Sequence, residues 1–145
     1  YLYPLDAIKH WNRIYGPKGF QQYQCVVPTG NQQDAIREIV TEISKSGVGS
    51  FLAVLKTFGN IVSPGLLSFP MGGTTLALDF PQSNTLKPLF DRLDSIVSNA
   101  NGRLYPAKDA HMSATHFQKF YPEWQQLEAM RDPNIMSLFW QRVTT

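Results

Sequence analysis

Two glutamines, Gln22 and Gln24, stand two positions apart in a run of aromatic and β-branched residues from Phe20 to Val27. Side chains alternate across a strand, so both amides fall on one face together with Val26. Lys56 projects from the interior of a second such run, Phe51 to Phe58, an unusual place for an ammonium without a partner. Leu52 and Val54 share its face, and Thr75 and Ala77 occupy the matching face of a third run, Thr74 to Phe80. Amides, one amine and small apolar groups on one surface suit the binding of hydroxyl or phosphate oxygens, or of a partner. An ordinary solvated sheet face explains the same pattern equally well.

The chemistry that is missing narrows the choice. His10, His111 and His116 are the only histidines, and the last two are five apart. That spacing places them on different helix faces and argues against a metal pair. Cys25, the single cysteine, excludes both a thiolate metal site and an internal disulfide, and its position among apolar residues marks it as core. The chain contains no GxGxxG, no phosphate loop and no Gly-x-Ser-x-Gly elbow; Gly72-Gly73 precedes a strand and reads as a turn. Asp91 and Asp94 look like the solvated side of a helix. Thirteen Lys and Arg residues against 11 Asp and Glu give a net charge of +2, scattered rather than clustered, so nucleic acid is set aside. No apolar run has the length of a membrane span and no leader layout opens the chain, so the expected location is cytoplasmic. The opening Tyr1-Leu2-Tyr3-Pro4 leads to the expectation that the chain is one domain cut from a larger polypeptide.

The elements that must position these residues follow from periodicity. Leu5, Ile8, Trp11 and Tyr15 have helical spacing that stops at Gly16-Pro17. The strand Phe20 to Val27 ends at Pro28-Thr29-Gly30, and Asn31 then caps a helix with the stripe Ile36, Ile39, Val40 and Ile43. After the strands Phe51 to Phe58 and Thr74 to Phe80, Asn84 or Thr85 caps a helix striped by Leu86, Leu89, Phe90, Leu93, Ile96 and Val97. Gly102 stands at its C-terminal cap, and Arg103 to Tyr105 forms a short fourth strand. Ser113 to Thr145 reads as short helices broken by Pro122 and Pro133. The expected fold is α+β: a ferredoxin-like split βαβ antiparallel sheet with helices on one face and extra C-terminal helices. Tyr23, Cys25, Val27, Phe51, Ala53, Leu55, Leu76, Leu78 and Phe80 belong under the helices, which leaves the face of Gln22, Gln24 and Lys56 open.

Five segments add a resemblance: Tyr3-Pro4-Leu5-Asp6, Trp11-Asn12-Arg13-Ile14-Tyr15-Gly16, Gly19-Phe20-Gln21-Gln22-Tyr23-Gln24, Leu67-Ser68-Phe69-Pro70 and Gly102-Arg103-Leu104-Tyr105-Pro106-Ala107-Lys108-Asp109. In this order and spacing the chain resembles, over essentially its whole length, the C-terminal half of decaprenylphosphoryl-β-D-ribose 2′-oxidase and its bacterial relatives. These are FAD enzymes of the vanillyl-alcohol-oxidase type. The resemblance implies a substrate (cap) domain working with an FAD-binding domain of the same polypeptide, and inactive without it. The reaction implied is oxidation of a secondary alcohol of a sugar or similar small molecule by hydride transfer to flavin.

It further implies that Gln22 and Gln24 line the substrate pocket with Leu52 and Lys56, and that Lys108 lies near the flavin and the substrate hydroxyl as catalytic and cofactor-contacting residue. Trp11 and Arg13 match a segment at the pocket mouth, although Trp11 reads equally as helix core. At the pocket floor this chain has Thr75 and Ala77 where family members sensitive to covalent inhibitors carry Asn and Cys, a difference that bears on the substrate. The competing reading is a non-enzymatic ferredoxin-like binding module that uses the same open face.

Overall fold

The computed structural model describes residues 9–145, the side chains of residues 11 and 12 excepted. Four strands, β1 (Phe20–Pro28), β2 (Leu52–Phe58), β3 (Gly73–Pro81) and β4 (Arg103–Leu104), form one antiparallel sheet in the order β2-β3-β1-β4. Between them lie α1 (Gln32–Ser46) and α2 (Leu86–Asn99), followed by α3 (Ala114–Phe120), α4 (Trp124–Met130) and α5 (Leu138–Thr144). This order is the α+β ferredoxin-like arrangement with additional C-terminal helices.

The alternation of side chains decides which face is filled. Tyr23, Cys25 and Val27 of β1 lie opposite Leu78, Leu76 and Thr74 of β3. All of these but the half-buried Thr74 join one buried cluster with Phe80, Leu104, Ile39 of α1, Leu89, Phe90, Leu93 and Val97 of α2, Phe117 of α3 and Val143 of α5. All these sheet residues point to the helix side, so the main cluster lies on that face. Phe90 is central: its ring meets those of Phe80, Tyr23 and His111 at 5.5, 5.2 and 4.6 Å.

Several expectations are corrected. The helical spacing before Gly16 becomes a 3-10 turn, Trp11–Tyr15, and the part before residue 9 lies outside the described residues. Neither Asn31 nor Thr85 makes a side-chain cap, and α1 instead ends at Gly47 in the left-handed conformation. Asn101, at φ 57, takes the left-handed position after α2. Gly102 serves close approach instead: a Cβ there would lie 2.4 Å from the Val26 carbonyl oxygen. The fourth strand is shorter than expected: Tyr105 stays extended and bonded to Gln24, but the chain turns directly after it into a 3-10 turn, Pro106–Lys108.

The helix side of β2 is also not covered as its apolar pattern suggests. Leu55 is 59% and Val40 52% exposed, because α1 packs over β1 and β3 and leaves the edge strand bare. Asp94, read as solvated, is 2% exposed and receives the ring of His111, both carboxylate oxygens lying 3.2 Å from Nε2. His116 Nδ1 lies 3.8 Å from the same carboxylate, so the two histidines expected on different helix faces converge on Asp94. His111 precedes α3 rather than lying within it, which frees its direction from the helical spacing. Among the described residues no helix is long and apolar enough to cross a membrane.

Candidate functional site

The register sets out the open face in rows. Gln22, Asp79 and Leu52 form one row; Gln24, Ala77 and Val54 the next; Val26, Thr75 and Lys56 the third. Each row crosses β1, β3 and β2 at strand spacings of about 4.8 Å. Leu52 and Val54 are 46% and 39% exposed, so the middle of the face is apolar and open.

The third row is roofed. Val26 and Thr75 are fully buried, and Phe69, 4% exposed, stacks on Tyr105 at 4.7 Å and meets Phe58 edge-on at 6.0 Å. Phe58 is in register with Gly73 at the end of the same face. The loop from Gly59 to Gly72 therefore folds back over one end of the open face. It is pinned there by Arg103, which donates to the Ser68 carbonyl at 3.0 Å. A hollow of about 480 Å³ lies within this loop, lined by Arg103, Glu123 and Met71 among others, while Ile61 and Val62 are about 90% exposed.

Lys108 arrives at the opposite edge. β4 is only two residues long, so beyond it the outer edge of β1 is met by the segment after Leu104. The Tyr105 N–H donates to the Gln24 carbonyl at 2.9 Å, and the 3-10 turn follows. Asp109 clamps the far side of that turn: one carboxylate oxygen accepts from the His111 and Met112 amides at 3.0 and 2.8 Å, the other from Arg142 at 2.6 Å. These contacts place Lys108 beside Gln22 and Gln24 around a niche of about 10 Å³, the size of one water. Its ammonium makes no hydrogen bond or ion pair with any described residue.

The structure thus brings Gln22, Gln24 and Lys108 together and arranges Leu52, Ala77 and Lys56 on the same face. Lys56 flanks the face from β2, three strand spacings (about 14 Å) from Lys108; it is exposed, with its ammonium 5.9 Å from the Phe58 ring. Thr75 does not reach the surface. Its hydroxyl donates to the Cys25 carbonyl at 2.8 Å and accepts from Gln24 Nε2 at 3.2 Å, so it acts on the face only through Gln24. Arg13 is exposed on its turn, and the Trp11 side chain lies outside the described residues.

Asp79 and Tyr15 were not singled out by sequence. The Asp79 carboxylate, in the first row, accepts from Gln22 Nε2 at 2.9 Å and from the Tyr15 hydroxyl at 2.8 Å. Tyr15 also stacks on Phe20 at 4.0 Å, which holds the Trp11–Tyr15 turn at this end of the face. Desolvation, and then the neighbouring carboxylate, push the Tyr15 phenol above its usual value, so it stays a donor. An acidic residue alternating with Ala77 and Thr75 on β3, across from a glutamine, was the available signal.

No family model matches the chain. It is 41% identical over 140 residues to decaprenylphosphoryl-beta-D-ribose oxidase of Mycolicibacterium smegmatis, covering 92% of this chain and 29% of that protein. The chain resembles one segment of an oxidase. It is also 35% identical over 121 residues to an uncharacterized protein in the mprA 5′ region of Streptomyces coelicolor, covering 81% of this chain and 32% of that protein. The chain therefore spans about a third of the length of the curated relatives it matches.

Proposed function

We propose that this chain is the substrate-covering domain of an FAD-linked oxidoreductase that oxidises a secondary alcohol of a sugar-like substrate, working with an FAD-binding domain of the same polypeptide. The observation that carries the proposal is the meeting of Gln22, Gln24 and Lys108 at the edge of an open, largely apolar sheet face. Similarity to a segment of an oxidase of a ribose derivative supports the same reading.

The residues present fit the ring end of a flavin better than its phosphates. Leu52, Val54 and Ala77 offer a flat apolar patch, whereas the chain carries no glycine-rich phosphate motif. FAD, when bound, supplies the acceptor for the hydride that leaves the alcohol carbon. Lys108 Nζ stabilises negative charge on the substrate oxygen as that carbon is oxidised. Gln22 and Gln24 hold neighbouring hydroxyls through their amides, and Lys56 borders the binding surface from the far strand. Trp11 and Arg13 stand on the turn at the mouth, and Phe69 with Tyr105 closes the other end against water.

The full-length polypeptide, purified and scanned for flavin absorbance, tests the proposal when mixed anaerobically with sugars and alcohols. Bleaching of the flavin band is expected, and Lys108→Ala should slow it about 100-fold or more. Near-native reduction by the Lys108→Ala variant would remove Lys108 from the mechanism. A protein that takes up no FAD, yet binds a ligand on the open face, would turn the assignment toward a binding module.

A further inference from the structure

We propose that Asp79 is a positioning residue for this face, acting through Gln22 and through the Trp11–Tyr15 turn; the proposal rests on reading the face as the substrate side. Asp79 is 6% exposed near the end of the interior strand β3, and no cation pairs with it among the described residues. Among the described residues, its side-chain hydrogen bonds come from Gln22 and Tyr15. A buried carboxylate on a sheet face is costly, and packing alone does not require one.

What the carboxylate does is orient. An ionised carboxylate only accepts hydrogen bonds, so Gln22 must turn its NH2 toward Asp79 and its carbonyl oxygen away. Gln24 is fixed by the same logic one row on. The single hydroxyl hydrogen of Thr75 goes to the Cys25 carbonyl, so Thr75 accepts from Gln24 and that amide also points its NH2 inward. Partner chemistry thus dictates both amide orientations. Each glutamine keeps a whole carbonyl oxygen for a ligand, and residues two apart on a strand set these groups about 7 Å from each other. The face is poised for ligand groups that donate hydrogen bonds. Anionic groups are disfavoured near Gln22 by the charge of Asp79 and favoured toward the ammonium groups of Lys108 and Lys56 at the two edges of the face.

The same carboxylate also holds the mouth. Its second oxygen takes the Tyr15 hydroxyl, whose ring stacks on Phe20, so the Trp11–Tyr15 turn and the Gln22 amide are tied to one charge.

The experiment takes the full-length polypeptide with FAD bound, labelled with 15N in its glutamine side chains, with D-ribose as probe. Asp79→Asn keeps the volume but lets the side chain donate. It is expected to move the Gln22 side-chain amide resonances and speed their exchange. It should also raise the half-saturating ribose concentration about tenfold, with the limiting rate of flavin reduction falling less than threefold. Tyr15→Phe, which leaves the sheet untouched, should raise half-saturation about threefold and leave the Gln22 amide signals in place. Unmoved Gln22 resonances with unaltered half-saturation in Asp79→Asn would overturn the proposal. A collapse of the limiting rate at unchanged half-saturation would also overturn it, by placing Asp79 at the reacting atoms. If ribose neither binds nor bleaches the native flavin, it is the substrate-side reading that fails, and the amide signals still decide whether Asp79 holds Gln22.

Discussion

Replacing Phe69 with Ala isolates the loop that roofs the open face. Phe69 is 4% exposed although it sits in a loop, because its ring packs on Tyr105 and against Phe58. Full burial of such a side chain stabilises by about 1.5–3 kcal/mol, and each aromatic contact adds about 0.5–1.5 kcal/mol. A loop can collapse partly into the space, so a net loss of about 3 kcal/mol is expected, at the low end for a buried Phe→Ala change. With a urea dependence of about 1.5 kcal/mol per molar, the unfolding midpoint should fall by about 2 M. Urea unfolding followed by tryptophan fluorescence reads this directly. Val26 and Thr75, now fully buried, should become accessible, so amide exchange should rise at both. Phe69→Leu should retain about half of the stability. A midpoint within about 0.3 M of the native value, with Val26 and Thr75 still protected, would refute the view that Phe69 closes this end.

Gly73→Ala should be more damaging than its size suggests. The φ of Gly73 is +155, and a Cβ there would stand 2.0 Å from the Val27 carbonyl oxygen and 2.8 Å from the Pro28 Cα, so β1 and β3 must separate; a loss above about 2 kcal/mol in the same unfolding assay is expected. The Cys25 thiol, buried completely and pushed up to about 12 mainly by desolvation, should resist an aromatic disulfide reagent at pH 8 in the folded chain and react once denatured. Glu128 is held down to about 2, against a usual 4.5, by Arg131 and then by the Trp140 indole. The unfolded state therefore takes up this proton first as pH falls. The stabilisation is complete above about pH 4.5 and is lost toward pH 2, so Glu128→Gln should lower the thermal midpoint at pH 6 and flatten its acid dependence below pH 4.5.

Local pattern was enough for most of the architecture. The period-two runs in β1 and β3, each with one strongly apolar face, admit a single register, because a one-residue slip would turn Tyr23, Cys25 and Leu78 outward. Their pairing leaves Gln22 and Gln24 on the free side. β2 shows where pattern misleads: Leu55 and Ala53 look like core, yet the finite width of two helices stops short of the edge strand. Asp94 shows the reverse, since a carboxylate read as solvated lies 2% exposed against the ring of His111.

That Gln22 and Gln24 share the face opposite the helices was therefore determined by the sequence itself, through the alternation of side chains along each strand, a property of the extended backbone that needs no tertiary information. The tertiary structure alone decided which side chains meet. Lys108 is 84 residues beyond Gln24, and only the short β4 and the Asp109–Arg142 clamp bring its turn to the β1 edge. Asp79 comes to Gln22 through cross-strand register, and to Tyr15 through a ring stack. Such contacts depend on loop closure and on hydrogen bonds between distant residues, which no local periodicity encodes.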